Sequence, residues 1–79
     1  SWHFMEVEDL KKNIEKAIPG ARVEIKDPRH DGVHLKAIVI SERFKGKTLL
    51  EQHRMVLNAL KGDFKTDILH ALGLETKTE

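Results

Sequence analysis

The 79-residue chain contains no cysteine and no tyrosine, only two prolines, and no long uninterrupted apolar run. The missing thiols exclude disulfides, thiol catalysis and thiolate metal sites made by this chain alone. No segment approaches the roughly 20 apolar residues of a membrane span, and no signal-peptide pattern is present. We therefore expect a cytoplasmic or organelle-matrix protein that does not contact membranes.

Neither sign of charge dominates, because 14 Lys and Arg residues face 13 Asp and Glu residues. A formal net charge of +1 argues against a dedicated polyanion binder, since such proteins usually carry a clear basic excess. Hydrophobic residues make up 39% of the chain and charged residues 34%, which is the composition of a globular domain. The length predicts one domain with a thin core.

Five histidines are present despite the absence of cysteine. Ser1-Trp2-His3-Phe4 precede Met5, which is a natural initiator. We interpret residues 1–4 as a cloning remnant and residues 5–79 as a single domain, with a native N-terminal extension as the alternative. His3 therefore receives no functional weight.

The hydrophobic periodicity of the first half predicts a helix followed by two strands. Apolar residues recur at helical spacing over Glu6–Ile18, and Pro19-Gly20 ends the helix. Alternation over Arg22–Lys26 predicts a half-buried strand, and the β-branched residues of His34–Ile40 predict a more central one. Asp27–Gly32 has the composition of a wide hairpin loop.

A capped helix dominates the second half. Ser41–Phe44 is predicted to form a short helical turn, and Thr48-Leu49-Leu50-Glu51 is a capping box that starts a helix reaching about Lys61. On a helical wheel one face is apolar and includes a histidine, formed by Leu49, Leu50, His53, Val56, Leu57 and Leu60. The wheel directs four other residues away from that face, namely Glu51, Arg54, Met55 and Asn58.

The third strand is predicted over Ile68–Thr76, although Ala, Leu and Gly are not strong strand formers. A helical crossover between the second and third strands favours a parallel pairing with a right-handed connection. The predicted fold class is α+β, with the order α-β-β-turn-α-β, a three-stranded mixed sheet and helices packed on one face.

No catalytic constellation is visible, so we expect a protein that is not an enzyme. His30 and His34 flank the hairpin loop, and His70 lies at the start of the third strand. Imidazoles are good ligands for iron, zinc and copper, although loop histidines are more often simple polar surface residues. His53, on the apolar helix face, is better explained as a neutral, hydrogen-bonded core residue.

The region Phe44–Lys61 also has the outline of a helix-turn-helix. Four basic residues there could contact phosphates, namely Arg43, Lys45, Lys47 and Arg54. The balanced charge and the lack of an aromatic stacking pair weaken this hypothesis.

The run Phe44–Val56, followed by Leu69-His70-Ala71-Leu72, resembles the BolA-like family. In that family a Phe-x-Gly turn leads to a helix carrying His-Arg, and a strand then begins with His-Ala. Asp31–Leu35 and Ile40–Phe44 also fit, so the resemblance covers nearly all of Met5–Thr76. It implies an α-β-β-α-α-β, type II KH-like fold.

The resemblance further implies a partnership with monothiol glutaredoxins of the CGFS type. The heterodimer would share a [2Fe–2S] cluster for iron–sulfur trafficking or iron regulation, with thiolates from the glutaredoxin and glutathione and with histidines from this chain. His70 is the first-choice ligand, and His30 or His34 is the second, with loop position slightly favouring His30. His53, Arg54 and Met55 would lie at the partner interface.

The isolated chain would hold no cluster and would be a monomer or weak homodimer. Some BolA-like proteins resemble transcriptional regulators, so the alternative is DNA binding through Arg43, Lys45, Lys47 and Arg54. RNA binding is doubtful, because Lys45–Thr48 does not form the Gly-x-x-Gly clamp of true KH domains. A third hypothesis is an adaptor that binds proteins through the Arg54–Met55 face, with incidental histidines.

Overall fold

A computed structural model of the protein describes residues 2–61 and 71–79, with side chains from residue 7 onward. The elements in chain order are helix α1 (Trp2–Ala17), strand β1 (Arg22–Lys26), strand β2 (Lys36–Ile40), a 3₁₀ turn (Glu42–Phe44), helix α2 (Leu49–Leu60) and strand β3 (Gly73–Lys77). The predicted α+β class and element order are confirmed. Within these residues, no helix combines the length and apolar character needed to cross a membrane.

The sheet has the strand order β1-β2-β3, so β2 is central. β1 pairs with β2 in antiparallel register, with Val23 opposite Val39. β3 pairs with β2 in parallel register, with Ala37 opposite Leu74. The parallel pairing predicted from the crossover length is confirmed, because α2 fills the connection between the two strands.

One face of the sheet forms the core with both helices, which contact the sheet and each other. Alternate strand residues point to this face, because side chains of a β-strand alternate between its two sides. The buried apolar residues are Leu10, Ile14, Ile18, Val23, Leu35, Ala37, Val39, Phe44, Val56 and Leu60. The opposite face carries exposed charged residues from all three strands, including Arg22, Glu24, Lys36 and Lys77.

The ends of three elements differ from the prediction. α1 begins at Trp2, four residues before Glu6, because residues 2–5 contain no helix breaker. β2 begins at Lys36, since His34 belongs to the structured loop described below. β3 covers Gly73–Lys77 and starts after the weak strand formers of the predicted segment, whose residues 68–70 lie outside the described residues.

The predicted capping box at the start of α2 is confirmed. Glu51 N donates to Thr48 Oγ1 at 3.1 Å, and Thr48 N donates to Glu51 Oε1 at 2.8 Å. The backbone hydrogen bond from Thr48 lowers the pKa of Glu51, since it favours the carboxylate. The box satisfies two of the amide groups that every helix leaves open at its N-terminus.

The predicted buried face of α2 is wrong in part. Val56 and Leu60 are fully buried, but Leu49 and Leu50 are 62% and 59% exposed, and Leu57 is 37% exposed. Met55, predicted to point away, packs against the core instead. The buried stripe of α2 follows the i, i+4 spacing of Val56 and Leu60. The helical wheel gave equal weight to every leucine of the helix, so the predicted face included exposed positions.

Candidate metal-binding loop

The connection between β1 and β2 is folded around the carboxylate of Asp27. Asp27 Oδ2 accepts a hydrogen bond from Gly32 N at 2.9 Å, and Oδ1 accepts one from Asp31 N at 3.2 Å. The backbone carbonyl of Asp27 also accepts a hydrogen bond from His30 N at 3.1 Å. Asp27 therefore holds the loop backbone at His30, Asp31 and Gly32, and its side chain acts as Asp side chains do in turns.

Asp31 performs the same task for the second part of the loop. Its Oδ1 accepts hydrogen bonds from Val33 N and His34 N, both at 2.9 Å. Its Oδ2 lies 2.6 Å from His34 Nδ1. The hydrogen bond with the His34 side chain, followed by those from the two backbone amides, holds the pKa of Asp31 well below its usual range. Asp31 is therefore a carboxylate at neutral pH.

The two candidate ligands of this loop differ in their surroundings. The His34 side chain is 46% exposed and its ring is held against Asp31. His30 is exposed, with its backbone in the left-handed region at φ +55°. Within the described part of the chain, no hydrogen bond involves the His30 ring. The loop therefore presents one oriented imidazole and one that has no orienting contact among these residues.

The start of β3 lies beside this loop. Gly73 N donates to Leu35 O at 2.8 Å, and Leu35 lies between His34 and Lys36 in the sequence. Lys36 is opposite Gly73 in the parallel register, so β2 and β3 both begin at the same end of the sheet. His70, the first-choice ligand in the sequence, precedes β3 but lies outside the described residues.

The predicted interface residues of α2 do not form one exposed surface. Arg54 is exposed as predicted, but Met55 is half-buried against the core. His53 is also half-buried, and its buried Nε2 has no hydrogen-bond partner among residues 2–61 and 71–79. The hydrogen bond predicted for a core histidine is therefore not found there. The exposed apolar residues Leu49 and Leu50 lie on the same helix, on the face predicted to be apolar.

The basic residues of the predicted helix-turn-helix are all exposed, namely Arg43, Lys45, Lys47 and Arg54. The first helix of that motif is replaced by the three-residue 3₁₀ turn Glu42–Phe44, capped by Ser41. This turn is shorter than the first helix of a DNA-binding helix-turn-helix, which crosses the DNA backbone.

Gln52 has a positional role that the sequence analysis missed. Its Nε2 donates to Lys47 O at 3.0 Å and to Phe44 O at 3.3 Å, and its Oε1 accepts from Thr76 Oγ1 at 2.6 Å. It thereby joins the 3₁₀ turn, α2 and β3. The sequence contains one signal for this role. Gln52 lies four residues before Val56 on the buried stripe, where a polar side chain needs hydrogen-bond partners.

The described residues contain no group of three or more His, Asp or Glu side chains that could hold a metal ion. Two histidines on one loop, with one ring oriented by a carboxylate, fit a site to which other ligands are added from elsewhere. The donor chemistry is that of neutral imidazole, which suits iron, zinc and copper.

The fold and loop define a small α+β domain with a mixed three-stranded sheet and histidines at the sheet end where β2 and β3 begin. The chain matches the BolA-like protein family over residues 4–79, and it belongs to that family.

Relatives with known names support this assignment. The chain is 30% identical over 78 residues to the DNA-binding transcriptional regulator BolA of Escherichia coli, covering 90% of this chain and 73% of the relative. It is 30% identical over 69 residues to the protein RP812 of Rickettsia prowazekii, covering 87% and 88%. The structure of a bolA protein homologue from Coxiella burnetii superposes with a TM-score of 0.73 at 40% identity, covering 90% and 87%.

Proposed function

We propose that this protein is the partner of a monothiol CGFS-type glutaredoxin and contributes histidines to a shared [2Fe–2S] cluster. The glutaredoxin and glutathione supply the thiolates, which this cysteine-free chain lacks. The role of the pair is iron–sulfur cluster trafficking or iron regulation. Imidazole in place of thiolate raises the reduction potential of such a cluster.

The observation that carries the proposal is the meeting of two chain segments at one end of the sheet. The hydrogen bond from Gly73 N to Leu35 O joins the loop that bears His30 and His34 to the start of β3. His70 precedes β3 by three residues in the sequence. Two ligands to one cluster must come from neighbouring segments, and the parallel pairing of β2 with β3, which starts both strands at one end of the sheet, supports this arrangement.

The loop geometry supports His34, rather than His30, as the second ligand. A ligating histidine usually donates its other ring N–H to a carboxylate or carbonyl, which fixes the ring. His34 has such a contact with Asp31. The slight preference for His30 rested on loop position alone, and the described residues give its ring no comparable support.

Co-expression with a CGFS glutaredoxin tests the proposal. We expect a coloured heterodimer with the absorption and visible circular dichroism of a [2Fe–2S] cluster. His70→Ala and His34→Ala should each abolish or strongly alter the visible circular dichroism while the far-ultraviolet spectrum is unchanged. Since protonated imidazole cannot bind metal, the colour of the heterodimer should also be lost on acidification at a higher pH than the colour of a cluster bound by glutaredoxin alone.

His30→Ala is the matched control, because it removes an imidazole from the same loop. Its complex should keep the wild-type visible spectrum. A wild-type spectrum in both His70→Ala and His34→Ala would contradict histidine ligation. A colourless mixture of the two wild-type proteins would contradict the shared cluster itself.

DNA binding is the second candidate, favoured by the name of the Escherichia coli relative. Four exposed basic residues provide the phosphate contacts in this hypothesis: Arg43 in the 3₁₀ turn, Lys45 and Lys47 after it, and Arg54 in α2. Duplex binding measured by fluorescence anisotropy should then weaken steeply with salt, and Lys45→Glu/Lys47→Glu should flatten the log–log salt slope by about 2.

Lys12→Glu/Lys16→Glu is the charge-matched control, because both lysines are exposed on α1. Equal loss of binding in both double variants would indicate non-specific attraction by overall charge. Absence of micromolar binding at low salt would eliminate this candidate.

A further inference from the structure

We infer that Asp31 is a positioning residue that fixes the His34 ring with its proton on Nδ1 and leaves Nε2 as the ligand atom. The inference rests on the proposed function, because it names how this chain prepares one of its ligands. Asp31 itself does not touch the metal in this scheme. It acts through the imidazole three residues further along the chain.

The geometry assigns each oxygen of Asp31 a separate task. Oδ1 accepts both backbone hydrogen bonds, from Val33 N and His34 N. Oδ2 is left for the ring, and it lies 2.6 Å from His34 Nδ1. Because the two amides anchor the carboxylate to the same turn that carries His34, the ring and its acceptor move together.

The tautomer follows from the chemistry of the pair. An ionised carboxylate has no proton and can only accept hydrogen bonds. The proton of the 2.6 Å contact therefore lies on His34 Nδ1. A neutral imidazole has one N–H, so Nε2 keeps a lone pair. No hydrogen bond engages that atom within the part of the chain that the structure describes, and the side chain is 46% exposed.

Asp27 supports this arrangement from the base of the loop. By accepting from Asp31 N and Gly32 N, its carboxylate fixes the backbone that carries Asp31. The ring of His34 is thus oriented through a chain of two aspartates. Preorganised ligands bind metal more tightly, because less motion is lost on binding.

Asp31→Asn gives a sharp test, because asparagine keeps the size and one oxygen of aspartate. The amide oxygen can still accept from Val33 N and His34 N, so the loop should stay folded. The amide NH₂ would then face His34 Nδ1 and donate to it. The variant should therefore invert the tautomer, placing the ring proton on Nε2 and blocking that atom as a ligand.

Long-range ¹H–¹⁵N NMR of the unloaded chain reads the tautomer directly, above about pH 8 where imidazoles are ordinarily neutral. In the wild type we expect His34 to be protonated on Nδ1. In Asp31→Asn we expect protonation on Nε2, and in Asp31→Ala a mixture. His30 is the internal control and should not change in any variant. An unchanged His34 tautomer in both variants would overturn the inference.

The loaded complex supplies the second measurement. Loss of the hydrogen-bond partner of a metal-bound histidine typically changes metal affinity about 10- to 100-fold, so Asp31→Asn should shorten cluster retention in the glutaredoxin complex by at least tenfold. Glu24→Gln, an exposed carboxylate on β1, should retain the cluster as the wild type does. An inverted tautomer with unchanged retention would overturn Nε2 as the ligand atom. If the wild-type pair forms no coloured complex, the proposed function fails, and the NMR result still decides the role of Asp31.

Discussion

Gln52 shows how much one polar side chain determines in a domain of this size. It binds two carbonyl groups before α2 and the hydroxyl of Thr76 on β3. One of these partners, Thr76, lies 24 positions from Gln52 in the sequence. A backbone hydrogen bond from Ser41 N to Lys77 O joins the start of the 3₁₀ turn to β3, and the Gln52 side chain connects α2 to the same junction.

Gln52→Ala should lower the free energy of unfolding by about 1–3 kcal/mol, because partly buried groups lose their hydrogen-bond partners. Urea unfolding followed by circular dichroism measures the change. Thr76→Val is the matched control, since it removes only the contact to β3 and should cost less. A Gln52→Ala protein as stable as the wild type would mean that water replaces all three bonds.

Asp31 and His34 illustrate the limit of sequence reasoning at this scale. Both lie in the Asp31–Leu35 motif that matched the family, and His34 was already a candidate ligand. The sequence could not rank His34 above His30, because the choice depends on which ring meets a carboxylate. A separation of three residues allows that contact but does not impose it, since the turn built by Asp27 brings the groups together.

At the scale of elements, the pairing of β2 with β3 is reinforced by charge on the outer face of the sheet. Glu75 accepts from Lys77 Nζ at 2.9 Å and from Lys36 Nζ at 3.2 Å. The hydrogen bonds from Lys77 and then Lys36 lower the pKa of Glu75 below its ordinary 4.5. Because one of these lysines lies on β2, the cluster ties the two parallel strands together.

The stability of the protein should therefore depend on pH through Glu75. A carboxylate whose pKa is lower in the folded state stabilises the fold above its unfolded pKa, and this contribution is lost as the pH falls through the folded pKa. Glu75→Gln should thus lower the urea midpoint at pH 7, and its difference from wild type should shrink progressively below about pH 4.5.

Glu24→Gln is the control for that comparison, because Glu24 is exposed on the same sheet face and has no ion pair among the described residues. Its midpoint should follow the wild type at every pH. A constant difference between Glu75→Gln and wild type from pH 7 to pH 3 would mean that the ion cluster does not stabilise the strands.

Helix α2 shows which features of an element a sequence pattern determines. The capping box fixed its first residue, because Thr48 and Glu51 satisfy each other within one turn. The orientation of the helix was only partly predicted, since four leucines favour an apolar face that includes exposed positions. Which leucines are buried depends on where α1 and β3 contact the helix, and three-dimensional packing alone decides that.

For the whole molecule, the thin core concentrates stability in a few side chains. Phe44 is fully buried and is among the largest of them. It is held in the 3₁₀ turn between β2 and α2, so it packs where the sheet passes to the helix. A chain of this size is expected to have a total stability of only about 4–12 kcal/mol.

Phe44→Ala should cost about 3–5 kcal/mol, a large part of that total, because it removes a buried ring and leaves a cavity. Phe44→Leu should cost less, since it keeps most of the volume. Val33→Ala is the control, because Val33 is 38% exposed and should change the urea midpoint little. A Phe44→Ala midpoint close to that of Val33→Ala would contradict the assignment of Phe44 to the core.

The sequence by itself determined the local features of this protein: the bounds of β1, the capping box of α2, the order of elements and the parallel crossover. These depend on residues within a few positions of each other or on the length of a connection. The tertiary structure decided which side chains cooperate. It buried Met55, exposed Leu49 and Leu50, joined Gln52 to Thr76, and put the start of β3 beside the His34 loop. Such contacts join distant parts of the chain, and their geometry follows only from the packing of the whole domain.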